Sequence, residues 1–303
     1  MSVLVLSAEE VERLLTMDEC IEAMSGVLSA LAREELFQPL RFVVRPPGTG
    51  LMGLMPAHRG GTRPAYSLKE IVVIPDNPTR GLDAHQGAVL LHDGDTGELR
   101  AILNASPITA IRTAAVSAVA TRALARPDSS VVAIVGAGVQ GQAHADAMRA
   151  VLDEPEIQTW SRRDGGSPEG IVRGADVVCT CTTSRGPVVL HEWLAPGTHV
   201  NAVGSSLPAA RELEEETIRA ATLIVDRRES ALTEAGELII PDLGEEEIAG
   251  ELGEVLTGRH PGRSAGDELT VFKSLGLAIE DLAAAELVVR KAREQNVGTE
   301  VPF

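Results

Sequence analysis

The sequence predicts an α/β fold in two parts, one a doubly wound parallel sheet and the other a region of mixed α and β structure. Three observations predict it. The run Val131-Val132-Ala133-Ile134-Val135, too short for a helix and rich in β-branched residues, empties into Gly136-Ala137-Gly138-Val139-Gln140-Gly141. Gln142 to Met148 then reads as the start of a helix, which completes the strand–turn–helix setting of a dinucleotide fingerprint. From residue 130 to 272 short apolar runs alternate with helical patterns, as in an open parallel sheet. Between residues 41 and 103 the texture is instead one of short strands broken by Pro and Gly.

In chain order, Ser7-Ala8-Glu9-Glu10 and Thr16-Met17-Asp18-Glu19 read as capping boxes that open a short and a longer helix. Val11, Leu14 and Leu15, then Ile21, Met24, Val27, Leu28 and Leu31, fall at helical spacing. Strands are expected at 41–45, 66–74 and 88–92, and Gly94-Asp95-Thr96-Gly97 forms a hairpin turn to 99–103. A helix of small residues follows over about 109–125 and suits an interior position. The alternating region supplies strands at 131–135, 157–160, 177–180, 199–202 and 223–225. A long amphipathic helix closes the chain over about 274–295, with Leu277, Ile279, Leu282 and Leu287 among its apolar positions.

Each glycine of the fingerprint has a separate task. Gly136 allows a tight turn, Gly138 lets the backbone approach a pyrophosphate, and Gly141 lets the helix pack closely on its strand. Val139 and Gln140 complete the motif, and the free N–H groups of the helix N-terminus favour an anion. The next strand ends in Ser161-Arg162-Arg163 in place of the Asp or Glu that would bind both ribose hydroxyls. A hydroxyl and two guanidinium groups suit a 2′-phosphate, so NADP(H) is expected in preference to NAD(H).

Composition excludes several classes. Apolar content of 44% and charged content of 23% are ordinary for a globular protein. The net charge of −17 argues against nucleic acid or an anionic membrane as partner. Seven aromatic residues leave little for base stacking. Cys20, Cys179 and Cys181 are odd in number and sit in apolar runs, so they read as reduced core thiols of a cytoplasmic protein. Cys179 and Cys181 share a strand face, but none of the seven histidines has metal-ligand spacing, and no metal is expected. No basic segment precedes an apolar run at the N-terminus, and no run approaches membrane-spanning length.

Basic residues in strand and helix contexts need a reason in so acidic a chain. Period-2 alternation puts Arg41 and Arg45 on one face of their strand, opposite Phe42 and Val44. Lys69 begins a stretch apolar on both faces, Ile71 to Ile74, where an unpaired ammonium is costly. Arg112 falls in the first turn of a helix starting near Thr109, where the dipole disfavours a cation. Either a shared anion, such as a carboxylate ligand, or separate salt bridges to the abundant acids would account for them.

Several motifs in order resemble the ornithine cyclodeaminase/mu-crystallin family over nearly the whole chain. They are Tyr66-Ser67-Leu68-Lys69, Gly81-Leu82-Asp83-Ala84-His85-Gln86-Gly87, Ile108-Thr109-Ala110-Ile111-Arg112-Thr113-Ala114-Ala115, the glycine fingerprint, Arg173-Gly174-Ala175-Asp176-Val177-Val178 and Lys273-Ser274-Leu275-Gly276. The resemblance implies a Rossmann-type nucleotide domain over 119–274, inserted in a substrate and dimerisation domain of residues 1–118 and 275–303, two subunits joining their N-terminal sheets in a closed barrel, and an active site between domains. It implies that Arg45, Lys69 and Arg112 hold a substrate carboxylate and that Lys69 takes part in proton transfer. It places Thr113, Ser274 and Gly276 near the nicotinamide, and His85 and Gln86 along the same cleft.

Two departures refine this. Where the cyclodeaminases carry Asp in a G-G-D-x-P-G-K loop, this chain reads Gly204-Ser205-Ser206-Leu207-Pro208. Ser206 cannot serve as a carboxylate base, which favours the family's imine reductases and amino-acid dehydrogenases over its cyclodeaminases. About a dozen residues separate Arg162 from Asp176, too few for another helix and strand, so the adenosine side is expected to be open. The resulting expectation is an NAD(P)H-dependent homodimeric oxidoreductase acting on the C=N or C–N bond of a small α-imino or α-amino acid. The alternatives are an ornithine cyclodeaminase that recycles NAD+, and a mu-crystallin-type protein that binds NADPH and a carboxylate ligand without turnover.

Overall fold

Ser7 caps the first helix as its sequence requires: the Ser7 hydroxyl oxygen accepts from the Glu10 main chain, and the Glu10 carboxylate accepts from the Ser7 N–H. β1 (Ser2–Leu6) precedes this helix, α1 (Ala8–Leu14), and α2 (Met17–Ala32) follows it. The second box does not close. Thr16 makes no side-chain bond to the helix backbone and donates to Glu19 Oε2 at 2.6 Å. The computed structural model describes residues 2–48 and 50–303. The chain forms two units, Met1–Arg112 with Leu277–Phe303, and Thr113–Gly276.

The first unit continues with β2 (Leu36–Phe37), β3 (Phe42–Val44), β4 (Leu51–Arg59), β5 (Ala65–Val73), β6 (His85–Asp93) and β7 (Leu99–Asn104). The strand expected at 41–45 is thus only three residues long, and Arg41 and Arg45 flank it. β4 is absent from the sequence reading because Gly53 and Pro56 break its pattern. Pro56 is tolerated because it lies between the segment paired with β3 (Met52 to Leu54) and the segment paired with β2 (His58, Arg59), where no ladder partner awaits an N–H. The expected β6–β7 hairpin forms. α3 (Ala105–Leu124) starts a turn earlier than expected, since Asn104 Oδ1 accepts from the Ser106 N–H at 3.0 Å and caps the helix there. Arg112 is therefore the eighth helical residue and lies clear of the first turn.

In the second unit come β8 (Val131–Val135), α4 (Val139–Val151), β9 (Glu156–Trp160), α5 (Glu169–Val172), β10 (Val177–Thr180), β11 (His199–Ala202), α6 (Glu215–Ala220), β12 (Thr222–Val225), α7 (Arg228–Glu234), α8 (Gly236–Ile239), β13 (Ile248–Glu251), α9 (Leu252–Leu256) and β14 (Thr270–Lys273). They build a seven-stranded parallel sheet, ordered β13-β12-β14-β11-β10-β8-β9. β10, β11 and β14 are buried at every position, as strands covered on both faces must be. β9 is an edge strand, and only a 3₁₀ turn and the four-residue α5 separate it from β10. The shortening read from the sequence is therefore real.

The chain then returns to the first unit with α10 (Ala278–Gln295) and β15 (Thr299–Pro302). α10 begins at Ala278, not near residue 274, because the N–H groups of Leu275 and Gly276 are bound by Asp226 Oδ2 at 2.6 and 2.9 Å and Gly276 has φ of 81°. Asn296, at φ 55°, ends it in the left-handed conformation. The mixed eight-stranded sheet runs β15-β1-β7-β6-β5-β4-β2, with β3 also on β4. α10 packs across β4, β5 and β6, with α2 alongside. The opposite sheet face carries Phe37, Phe42, Val44, Met52 and Tyr66, all exposed and on one side by strand register. The stretch after Lys69 is therefore not covered on both sides within one chain, and Ile71, Val72 and Val73 are only half-buried. No helix of the described residues is long and apolar enough to cross a membrane.

Candidate active site

Lys69 points from β5 into the helix-covered side of the mixed sheet, in register with Met55 on β4 and Val89 on β6, and is 1% exposed. An ammonium in such an apolar row needs a counter-charge, and α10 provides it. Lys69 Nζ donates to Asp281 Oδ1 at 2.9 Å and lies 2.8 Å from Oδ2. The same Asp281 Oδ1 accepts from Arg112 Nε at 3.2 Å, and Arg112 Nη1 donates to Glu280 Oε2 at 2.7 Å. Two cations and two carboxylates thus form one buried, charge-balanced cluster. The shared anion of Lys69 and Arg112 is a side chain of this protein.

Burial pushes the Lys69 ammonium down to about 8. Asp281 opposes that shift, whereas the positive charges of Arg112 and, more weakly, Arg41 add to it. An amine that titrates near neutrality can both give and take a proton. His85 is accessible at the start of β6, yet partial desolvation of its ring and the Lys69 charge hold it below the ordinary imidazole value. Arg45 is exposed just after β3 and does not belong to the buried cluster.

The sequence reading missed Glu280 and Asp281. The signal was present: on a helix, Asp281 stacks with Leu277, Ala278, Ala284, Ala285 and Val288, an otherwise apolar stripe. An acid there must meet a cation.

In the second unit the fingerprint glycines separate by cause. Gly136 has φ of 122°, and a Cβ there would meet the Cys181 carbonyl at 2.5 Å. At Gly141 a Cβ would strike the Gly136 carbonyl at 1.7 Å. Both are required by the fold itself. Gly138 is different: its φ is −79° and a Cβ would meet nothing within 4 Å. The protein leaves that space open, which fits the close approach of a pyrophosphate. Gly138→Ala should therefore fold with an unchanged melting temperature and bind dinucleotide at least about tenfold more weakly, as titration calorimetry would show. Unchanged affinity would remove the phosphate from this turn.

Beside it, Val139 is exposed and the Gln140 carbonyl accepts from His144 Nδ1 at 2.7 Å. Burial pushes His144 down to about 4 and His199 to about 3, so both are neutral structural groups. At the end of β9 the Ser161 hydroxyl and N–H both donate to Asp164 Oδ2, at 2.9 and 2.7 Å, while Arg162 and Arg163 are exposed. A carboxylate thus occupies the hydroxyl that the sequence offered to a 2′-phosphate. Thr113 and Ser274 are buried. Ser206 is half-buried in the turn after β11. β10 ends at Thr180, so Cys181 lies just beyond it. Burial raises all three thiols, Cys20 and Cys179 to about 12, leaving no thiolate nucleophile. The described residues hold no group of three metal-ligating side chains.

A profile of the ornithine cyclodeaminase/mu-crystallin family matches residues 1–296. The chain belongs to this family. Ketimine reductase mu-crystallin of Mus musculus is 38% identical over 304 residues, covering 93% of this chain and 95% of the relative. Among solved structures, Delta(1)-pyrroline-2-carboxylate reductase of Thermococcus litoralis, in complex with NADH and L-proline, superposes with a TM-score of 0.92 at 34% identity, covering 99% of this chain and all of that one. An archaeal alanine dehydrogenase dimer with bound NAD gives a TM-score of 0.94 at 33% identity over the full length of both. The mixed α/β fold with its parallel sheet is the fold class expected from the sequence.

Proposed function

We infer that the protein is an NAD(P)H-dependent oxidoreductase acting on the C=N or C–N bond of a small α-imino or α-amino acid. The observation that carries this is the buried Lys69, bonded to the Asp281 that it shares with Arg112 and held down to about 8 by burial. When bound, the nicotinamide cofactor supplies or accepts the hydride at the substrate carbon. Lys69 delivers a proton to the substrate nitrogen in reduction and removes it in oxidation. Arg112 and Arg45 bind the substrate carboxylate and fix the α-carbon, a gain in positioning. Because Asp281 and Glu280 already match the charges of Lys69 and Arg112, the charge of the incoming carboxylate rests chiefly on Arg45. His85 and Ser206 complete the substrate contacts, with Ser206 supplying a hydroxyl where a cyclodeaminase needs a base.

Gly136, Gly138, Val139, Gln140 and Gly141 hold the pyrophosphate, and Thr113, Ser274 and Gly276 border the nicotinamide. Arg162 and Arg163 favour the 2′-phosphate of NADP(H), and Asp164 opposes them by holding Ser161. The apolar outer face of the mixed sheet, with Phe42, Val44 and Met52, is the contact of a homodimer, in keeping with the dimeric alanine dehydrogenase.

The test is loss of reduced-nicotinamide absorbance with NADPH or NADH and a panel of cyclic imino acids and α-keto acids plus amine. Oxidation by an imino acid is the expected result. Ammonia release from ornithine with no net cofactor change would identify a cyclodeaminase, and tight NADPH binding without any turnover a binding protein.

A further inference from the structure

The chain contains three lysines, and the second of the two fully buried ones, Lys273, takes no part in the chemistry above. It ends β14, forms an ion pair with the buried Glu237 at 3.1 Å and donates to the Ser205 carbonyl. Glu237 in turn accepts from the Glu212 N–H at 3.0 Å. Glu212 is 0% exposed, and its carboxylate accepts four hydrogen bonds of 2.7 Å. The donors are Thr180 Oγ1, the Thr182 N–H, Thr182 Oγ1 and the Gly204 N–H. Thr180 is the last residue of β10, and Gly204 lies two residues past the end of β11.

A single carboxylate therefore fastens the carboxyl ends of two adjacent parallel strands, with Lys273 and Glu237 beneath it. Gly204 has no room for a side chain here, since a Cβ would meet Thr182 N at 2.4 Å and Glu212 Oε1 at 2.5 Å. Burying a lysine and two carboxyl groups to hold two turns is costly, and the turns so held lie where open α/β sheets bind ligands. The sheet order sets which half of a dinucleotide they serve. The fingerprint follows β8, and the adenosine-ribose turn follows β9 on one side of it. β10 and β11 lie on the other side, which leaves them the nicotinamide half.

We propose that Glu212 is a positioning residue that clamps the Cys181–Thr182 and Gly204–Ser205 turns, building the floor for the nicotinamide half of the cofactor and presenting Ser206. This rests on the dinucleotide reading of the second unit. Glu212→Gln keeps the shape of the side chain but turns an NH₂ toward two donors, so one turn is released.

The test is calorimetric titration of the full-length protein with NADPH or NADH and with the matching ADP-ribose fragment, which lacks nicotinamide. E212Q should bind the dinucleotide about tenfold more weakly, as expected for buried donors left without an acceptor, and the fragment within about twofold of the parent protein. Equal losses for dinucleotide and fragment, or no loss for either, would overturn the proposal. Thr182→Val removes one donor to Glu212, together with the acceptor of the Ser184 N–H, and leaves the Thr182 and Gly204 N–H bonds to Glu212, so it serves if E212Q does not fold. It should show the same selectivity at about two- to fivefold, and a non-selective loss would refute the clamp. A parent protein that binds neither dinucleotide would refute the cofactor reading and the clamp with it.

Discussion

Lys69→Met is expected to lower kcat by roughly 10²–10⁴-fold, the range a positioned proton donor contributes, while cofactor affinity stays within about twofold. The two effects separate because Lys69 belongs to the first unit and the fingerprint to the second. Methionine fills the space between Met55 and Val89 without a charge, but it leaves Asp281 with only Arg112 as its counter-charge. Some loss of stability is expected as well, since a buried carboxylate has lost one of its two cations. Steady-state rates beside calorimetric cofactor titration would separate the terms. Undiminished kcat would remove Lys69 from the mechanism, and lost cofactor binding would point to a general folding defect.

The second large effect is expected at Asp281. Asp281→Asn removes the one influence that raises the Lys69 value against burial and Arg112. The amine should then release its proton at lower pH. In the parent protein the rate of imine reduction should fall as pH rises through about 8, where Lys69 loses its proton. In the variant that limb should move to lower pH by at least about one unit, because removing a charge in direct contact is worth more than one unit inside a protein. Stability carries its own sign. The depressed folded-state value means that the unfolded chain binds this proton more tightly, so the Lys69 contribution to stability increases between about 8 and the ordinary 10.5. It is constant below that window and above it. The variant should widen the window downward and be less stable at neutral pH, by up to about 3–5 kcal/mol. Glu280→Gln is the control: it removes an equally buried charge on the same helix that pairs with Arg112 and not with Lys69. It should lose rate without moving the limb. Equal shifts in both variants would mean that the limb does not report on Lys69.

The parallel sheet was largely legible because β8, β10 and β12 are buried almost throughout and read as short apolar runs. The fingerprint glycines announce backbone constraints that Gly136 and Gly141 meet in full. The mixed sheet was harder. β4 contains Gly53 and Pro56, and β1, β2 and β15 are edge or near-edge strands too short to carry a period. The two pairings of β1, with β15 and with β7, join segments far apart in sequence, so local pattern underdetermines them. Lys69 and Arg112 were legible as misplaced cations. Their partner was not, because Asp281 lies 212 residues from Lys69 and acidic residues are abundant. The Thr16 box and the start of α3 failed on local hydrogen-bond choices, as Thr16 bonded the Glu19 side chain and Asn104 supplied an unread cap. Asp164 shows the same limit at the end of β9, where the motif exposed two arginines and a hydroxyl but not the carboxylate that binds the hydroxyl.

The most direct measurement is the fate of a labelled hydride. The protein would be incubated with a cyclic α-imino acid and NADPH or NADH carrying deuterium at C4 of the nicotinamide, and the product examined by NMR. The expected result is one deuterium at the α-carbon of the resulting amino acid, delivered from one face of the nicotinamide, and its loss in Lys69→Met. A product labelled elsewhere, or no transfer from either cofactor to any imino acid, would contradict it.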